Sequence, residues 1–129
     1  MKSVNLQKSH SMFLELNHQK LEVYKVARKF VFECYKMTKT LPDEERFNMI
    51  SQIRRAALSV HLNIAEGASR KSSAERKRFY EVSRGSVIEI DAALDVASDL
   101  DYFQKEKFEE LGKQMLSCFR LLSNLINSD

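Results

Sequence analysis

From Leu21 onward the apolar positions fall into step. Leu21, Tyr24, Ala27, Phe30, Val31, Cys34, Tyr35 and Thr38 recur at intervals of three and four with charged residues between them, the spacing of one face of an α-helix. Leu41-Pro42 stops that helix, because proline disfavours the helical region for the residue before it. Asp43-Glu44-Glu45 then place negative charge where the dipole of a new helix favours it. The second helix runs from about Asp43 to Ser69 on a stripe of Phe47, Ile50, Ile53, Ala57, Val60 and Ile64. Its other inward positions, Ser51, Ala56, Ser59, Ala65 and Ala68, are small, which predicts that a neighbouring helix packs closest here.

Ser72-Ser73-Ala74-Glu75 reads as a capping box that opens a third helix. Phe79, Val82, Ser86, Ile90, Ala93, Leu94, Ala97 and Leu100 form its expected inner face, and Gly85 in mid-helix is expected to mark a close backbone contact. After the turn at Asp99-Leu100-Asp101-Tyr102, a fourth helix carries Phe108, Leu111, Met115, Phe119, Leu122, Leu125 and Ile126. Short connections make each helix run opposite to the one before, so the pattern predicts an all-α protein, an antiparallel up-down-up-down four-helix bundle. Its rods are roughly 30 to 40 Å long and leave much lateral surface. Residues 1 to 18 show only a weak apolar cluster at Met12, Phe13, Leu14 and Leu16, which divides the chain into a flexible or loosely docked leader, 1–18, and a bundle domain, 19–129.

Composition supports this reading. Three Gly and one Pro in 129 residues supply little turn material, which excludes an all-β fold. Cys34 and Cys118 each sit among apolar residues, and no signal peptide or membrane-spanning run is visible, so the expectation is a soluble, cytoplasmic protein with reduced, buried thiols; a disulfide is the alternative. The net charge of +3 is unevenly spread. Residues 1–53 carry nine Lys/Arg against six Asp/Glu, residues 54–84 eight against three, and residues 85–129 four against nine. A basic middle and an acidic end suit either attraction of a polyanion or attraction between subunits.

Along the second helix the string Gln52-Ile53-Arg54-Arg55-Ala56-Ala57-Leu58-Ser59-Val60, followed by Asn63-Ile64-Ala65-Glu66-Gly67 and Arg70, resembles the signature of small bacterial four-helix-bundle proteins encoded within intervening sequences of 23S ribosomal RNA genes. Leu21-Glu22-Val23-Tyr24-Lys25-Val26-Ala27 and Gly85-Ser86 with Glu89 are similar to the same family, so the resemblance covers about residues 21–127. The accessory variability protein of diversity-generating retroelements resembles this family too. The resemblance therefore implies a homo-oligomer, a pentameric ring, with RNA or DNA and a reverse transcriptase as partners. The chain departs from the family pattern at His61, where a proline is expected, at Asp101, where a glycine is common, and in its longer leader.

Arg54, Arg55, Arg70, Lys71, Arg76, Lys77, Arg78 and Arg84 gather on the second half of helix two, the turn and the first half of helix three. An antiparallel pair brings such residues toward one end of the bundle, a candidate surface for sequence-nonspecific nucleic-acid binding through phosphates, with Tyr80 as a stacking surface. Asn63, Glu66, Gly67, Gly85 and Glu89 are expected at helix or subunit interfaces, with a Glu66–Arg70 pair along the helix and Glu89 meeting Arg55 across it. The alternative is a self-assembling structural or protein-interaction module with no nucleic-acid role. No catalytic, metal or cofactor constellation is recognisable: the one Glu-x-x-His spacing, Glu15 to His18, lies in the leader, and His10, His18 and His61 form no ligand spacing with the cysteines. A non-enzymatic role is the expectation.

Overall fold

The computed structural model describes residues 12–128. Within them the chain forms α1 (Glu22–Thr38), α2 (Ser51–Ala68), α3 (Ser73–Asp99) and α4 (Glu109–Asn127), with no strand among the described residues. Residue pairs that meet across α2 and α3 keep a nearly constant sum of positions: Ser83 Oγ donates to the Val60 carbonyl at 2.7 Å, Ser86 Oγ to Ser59 Oγ at 2.9 Å, and Gln52 Nε2 to Glu89 at 2.9 Å. A constant sum is the signature of antiparallel neighbours. Tyr24 against His61 and Arg54 against Thr38 give the same relation for α1 and α2, and α1 closes the bundle against α4. Of the two cysteines, Cys34 lies on α1 and Cys118 on α4; both are free and fully buried.

The core holds Phe30, Cys34 and Met37 from α1, Ile53, Ala57, Val60 and Ile64 from α2, Val87, Ile90 and Leu94 from α3, and Leu111, Cys118 and Leu122 from α4. The small stripe on α2 does permit the closest packing, and α2 and α3 share the most extensive helix–helix contact. Part of that fit is polar. Ser83 is fully buried, and its hydroxyl is satisfied by a carbonyl of the neighbouring helix, so its desolvation is offset.

Four apolar positions expected on the inner stripes are outside: Phe47 is 85 % exposed, Val82 and Leu100 half exposed, and Phe119 39 % exposed. For Phe47 the cause is local. The approach to α2 is a 3-10 turn (Asp43–Glu45) and then a single π-helical turn (Arg46–Ile50), whose wider winding rotates Phe47 off the stripe that Ile53 continues. For Val82 the true inner face of α3 is Tyr80, Ser83, Val87, Ile90, Leu94 and Ala97, one step away from the expected row at its N-terminal half.

The ends of α3 follow local chemistry. Ser72 accepts the Glu75 amide at 3.1 Å, as a capping box requires, while its hydroxyl donates to the Glu75 carboxylate at 3.2 Å. At the other end Asp101 adopts φ 60°, the Tyr102 amide reaches the Ala97 carbonyl at 2.8 Å and the Asp101 amide reaches Ser98 at 3.0 Å. These two bonds form a Schellman motif, whose left-handed residue is most often glycine. Asp101 therefore occupies a left-handed position that favours glycine on steric grounds. No described helix is long and apolar enough to cross a membrane. Of the leader, residues 1–11 and hence His10 lie outside the described residues; Met12, Phe13, Leu14 and Leu16 are exposed, and Asn17–Lys20 form a 3-10 turn beside α1 and α2.

Candidate nucleic-acid interface

The turn between α2 and α3 is four residues long, so the C-terminal end of α2 and the N-terminal end of α3 sit side by side. Their close approach has a steric basis at Gly67. A methyl group there would lie 2.9 Å from the Phe79 Cβ, 3.0 Å from the Tyr80 ring and 3.2 Å from the Arg76 carbonyl. Only a residue with no side chain lets the two backbones come this near.

Arg76 ties the turn. Its Nη1 donates to the Arg70 carbonyl at 3.1 Å and the Lys71 carbonyl at 2.7 Å, binding the chain just beyond the last turn of α2. Arg70 pairs with Glu66 at 2.8 Å, both side chains well exposed, and its guanidinium lies 4.9 Å from the centre of the Phe79 ring. Lys71 and Arg78 are exposed, and Lys77 is partly exposed. Five cations thus meet at one end of the bundle with Glu66 and Glu75 as the acidic residues of the same segment. An exposed ion pair such as Glu66–Arg70 contributes at most about 1 kcal/mol, so a phosphate can recruit Arg70 at little cost.

The other predicted cations do not join them. Arg54 is half-buried, donating from Nε to Thr38 Oγ1 at 2.8 Å and lying 4.9 Å from the Tyr35 ring centre, so it braces α1 against α2. Arg84 reaches Ser123 at 3.1 Å and the Phe119 ring, bracing α3 against α4. Arg55 is exposed but stands fifteen residues before Arg70 on the helix, roughly 22 Å away along the axis. Its expected partner Glu89 accepts from Gln52 instead. Tyr80 is 5 % exposed and cannot present a ring face to a base; burial pushes its hydroxyl above the usual tyrosine range, against a smaller lowering by Arg76.

Among the expected interface residues, Asn63 donates to the carbonyl and hydroxyl of Ser59 within its own helix. Gly85 makes no close backbone contact within the chain, contrary to the expectation for a mid-helix glycine: it is exposed, and a methyl group there would meet nothing within 4 Å. The row Tyr80, Ser83, Val87 and Ile90 turns Gly85 to the solvent side of α3.

The sequence marks His61 only as a departure from an expected proline and gives no sign of its surroundings. Its Nδ1 is buried without a hydrogen-bond partner among the described residues, its ring lies 4.5 Å from that of Tyr24, and burial first, then the proximity of Arg28 and His18, lowers its pKa to about 4. Cys34 and Cys118 are likewise pushed up by burial, Cys118 to about 12, with the neighbouring Cys118 adding to the rise at Cys34. Thiols held neutral in this way are core residues and poor nucleophiles. Among the described residues no group of three or more His, Cys, Asp or Glu is placed to hold a metal ion.

The sequence pattern that defines the 23S rRNA-intervening sequence proteins matches residues 19–124. The chain belongs to that family. Its fold is similar to the crystal structure of a protein of unknown function from the S23 ribosomal protein family of Bacteroides thetaiotaomicron, with a TM-score of 0.74 and 22 % identity over 82 % of this chain and 96 % of that one. No curated protein matches the sequence.

Proposed function

We propose that this member of the family is a non-enzymatic accessory protein that binds the phosphate backbone of RNA or DNA without reading sequence. The observation that carries the reading is the meeting of Arg70, Lys71, Arg76, Lys77 and Arg78 at one end of the bundle, where Lys71, Lys77 and Arg78 make no ion pair among the described residues and only two acidic residues of the same segment offset the five charges. Five phosphate contacts predict a log–log salt slope of about −3.5 on single strands and about −4.5 on duplex. Fluorescence anisotropy of a labelled structured RNA and a matched DNA duplex across a salt series measures it. In the variant Arg70→Glu, Lys71→Glu, Lys77→Glu and Arg78→Glu, binding is expected to vanish while helicity stays; Arg76 is left in place because it ties the α2–α3 turn. Retained affinity in that variant overturns the proposal. Its protein partner, on the resemblance to retroelement accessory proteins, is a reverse transcriptase.

A second reading, self-assembly, is favoured by apolar surface on opposite sides of the bundle. Leu58 and Leu62 are 43 % and 57 % exposed on α2, beside a shallow groove lined by Val31, Phe32 and Tyr35, while Ile88, Leu116 and Phe119 are exposed between α3 and α4. Two different apolar faces on one subunit suit head-to-tail contact, which closes into a ring when the rotation permits. The pentamer that the family resemblance suggests is such a ring. Native mass spectrometry of the wild type and of Leu116→Glu tests it: a monomeric wild type counts against assembly, and dissociation by the substitution supports it.

A further inference from the structure

At the same end of the bundle the N-terminal turn, α2, α3 and α4 converge around a pocket of about 300 Å³. The turn supplies Asn17 and His18, α3 supplies Ser73, Arg76, Lys77 and Tyr80, and Ser128 follows α4. Leu21, Ala68 and Leu125 make an apolar floor. The described lining thus holds three basic side chains and no acidic one. Arg76 is held in place through Nη1 by two carbonyls, and a guanidinium has further N–H donors to offer. Lys77 makes no ion pair among the described residues. The first-turn amides of α3, at Ser73, add donors without partners inside the helix.

We infer that this pocket binds a phosphate monoester carried on a flat or apolar body, as in a nucleotide, with Arg76, Lys77 and His18 around the phosphate and Leu21, Ala68 and Leu125 under the rest. Two features select this class. The volume is at the lower end for small-ligand sites, the size of one such unit, and the polar groups cluster over an apolar floor. Four chain segments contribute to the lining, and the volume admits about one such unit, the terminal nucleotide of a strand or a free mononucleotide. The inference deepens the proposed function by giving the basic end a site for a strand terminus, but the same chemistry is offered by a free mononucleotide.

The experiment compares one 3′-labelled oligonucleotide in 5′-phosphate and 5′-hydroxyl forms by anisotropy, and adenosine 5′-monophosphate with adenosine by calorimetry, on the full-length protein. The 5′-phosphate is expected to improve affinity about tenfold, the scale of charge-assisted hydrogen bonds gained by a terminal phosphate. Lys77→Ala, a surface change that leaves the fold intact, should bring the ratio to about one, and Ala68→Leu, which fills the floor, should do the same. Equal affinity for both oligonucleotides together with no binding of the monophosphate overturns the pocket while leaving backbone binding standing. Preference for the monophosphate over adenosine without any oligonucleotide binding supports the pocket as a mononucleotide site and overturns the backbone reading. A phosphate preference that survives both substitutions places the phosphate elsewhere and overturns the assignment.

Discussion

The same substitution at two glycines should have opposite effects. At Gly67 an alanine methyl would sit 2.9 Å from the Phe79 Cβ and 3.2 Å from a backbone carbonyl, atoms that cannot swing away without moving α3 itself. Overpacking of this kind costs about 1–3 kcal/mol, against which alanine recovers roughly 0.5–1 kcal/mol of helix propensity in the last turn of α2. Because these contacts are with a Cβ and a backbone carbonyl, the cost lies in the upper half of that range, about 2–3 kcal/mol, and the net is a loss of about 1–2.5 kcal/mol. Unfolding entropy of about 2.1 cal/mol/K per residue gives roughly 0.27 kcal/mol/K for this chain, so Tm should fall by about 4–9 °C. At Gly85, exposed in the middle of α3 with nothing within 4 Å of the added methyl, only the propensity remains, and Gly85→Ala should raise stability by about 1 kcal/mol and Tm by roughly 4 °C. Calorimetry or thermal melts followed at 222 nm distinguish the two. If Gly67→Ala is as stable as the wild type, or stabilised like Gly85→Ala, the close approach of α2 and α3 at the basic turn is refuted.

Asp101→Gly should stabilise by about 1 kcal/mol, because the left-handed conformation that closes α3 carries no Cβ penalty for glycine; urea denaturation at constant m-value measures it. Ser83→Ala should destabilise by about 1 kcal/mol through loss of the buried bond to the Val60 carbonyl, whereas substituting the exposed Ser98 should be neutral in the same assay. His61 gives a pH dependence. Its pKa of about 4 in the folded chain lies below the ordinary 6.5, so the unfolded chain binds the extra proton first; the contribution is whole above pH 6.5 and is lost as pH falls toward 4. Because the ring is partly solvated, the loss should be on the order of 1–2 kcal/mol, and the stability difference between wild type and His61→Leu should shrink or reverse between pH 7.5 and 4.5. A difference independent of pH would show that His61 is not held neutral.

Four helices and their antiparallel order were legible because each buried face repeats at three and four residues and each break is marked by proline, a capping serine or a turn. What misled was polarity inside and apolarity outside. Ser83 lies on the inner row of α3 but reads as surface, so apolar periodicity runs the row through Val82 and carries Gly85 inward with it. Phe47 reads as core because periodicity assumes constant winding, and the π-helical turn that breaks the phase has no sequence mark. At the basic end, proximity of Arg70, Lys71, Arg76, Lys77 and Arg78 follows from one short turn and was readable. The division of labour was not: Arg54, Arg76 and Arg84 look like the others in sequence, and only their partners, Thr38, the Arg70 and Lys71 carbonyls of the α2–α3 turn, and Ser123, show that they hold the bundle together.

That division bears on how binding and assembly can coexist. The cations available to a polyanion sit at the end of the bundle, whereas the exposed apolar residues Leu58, Leu62, Ile88, Leu116 and Phe119 lie along its sides. Side-to-side contact of subunits would bury the apolar faces and leave every basic end uncovered. In a closed ring all those ends point the same way, so the cations of successive subunits form one continuous rim. Electrostatic binding scales with the number of phosphates engaged at once, and a strand laid along such a rim meets several clusters for a single loss of translational freedom. Assembly would thus convert a weak, salt-sensitive patch into a strong one. Leu116→Glu, far from the basic end, should then weaken nucleic-acid binding by more than tenfold, and unchanged affinity in a monomeric variant would sever the link between the two readings.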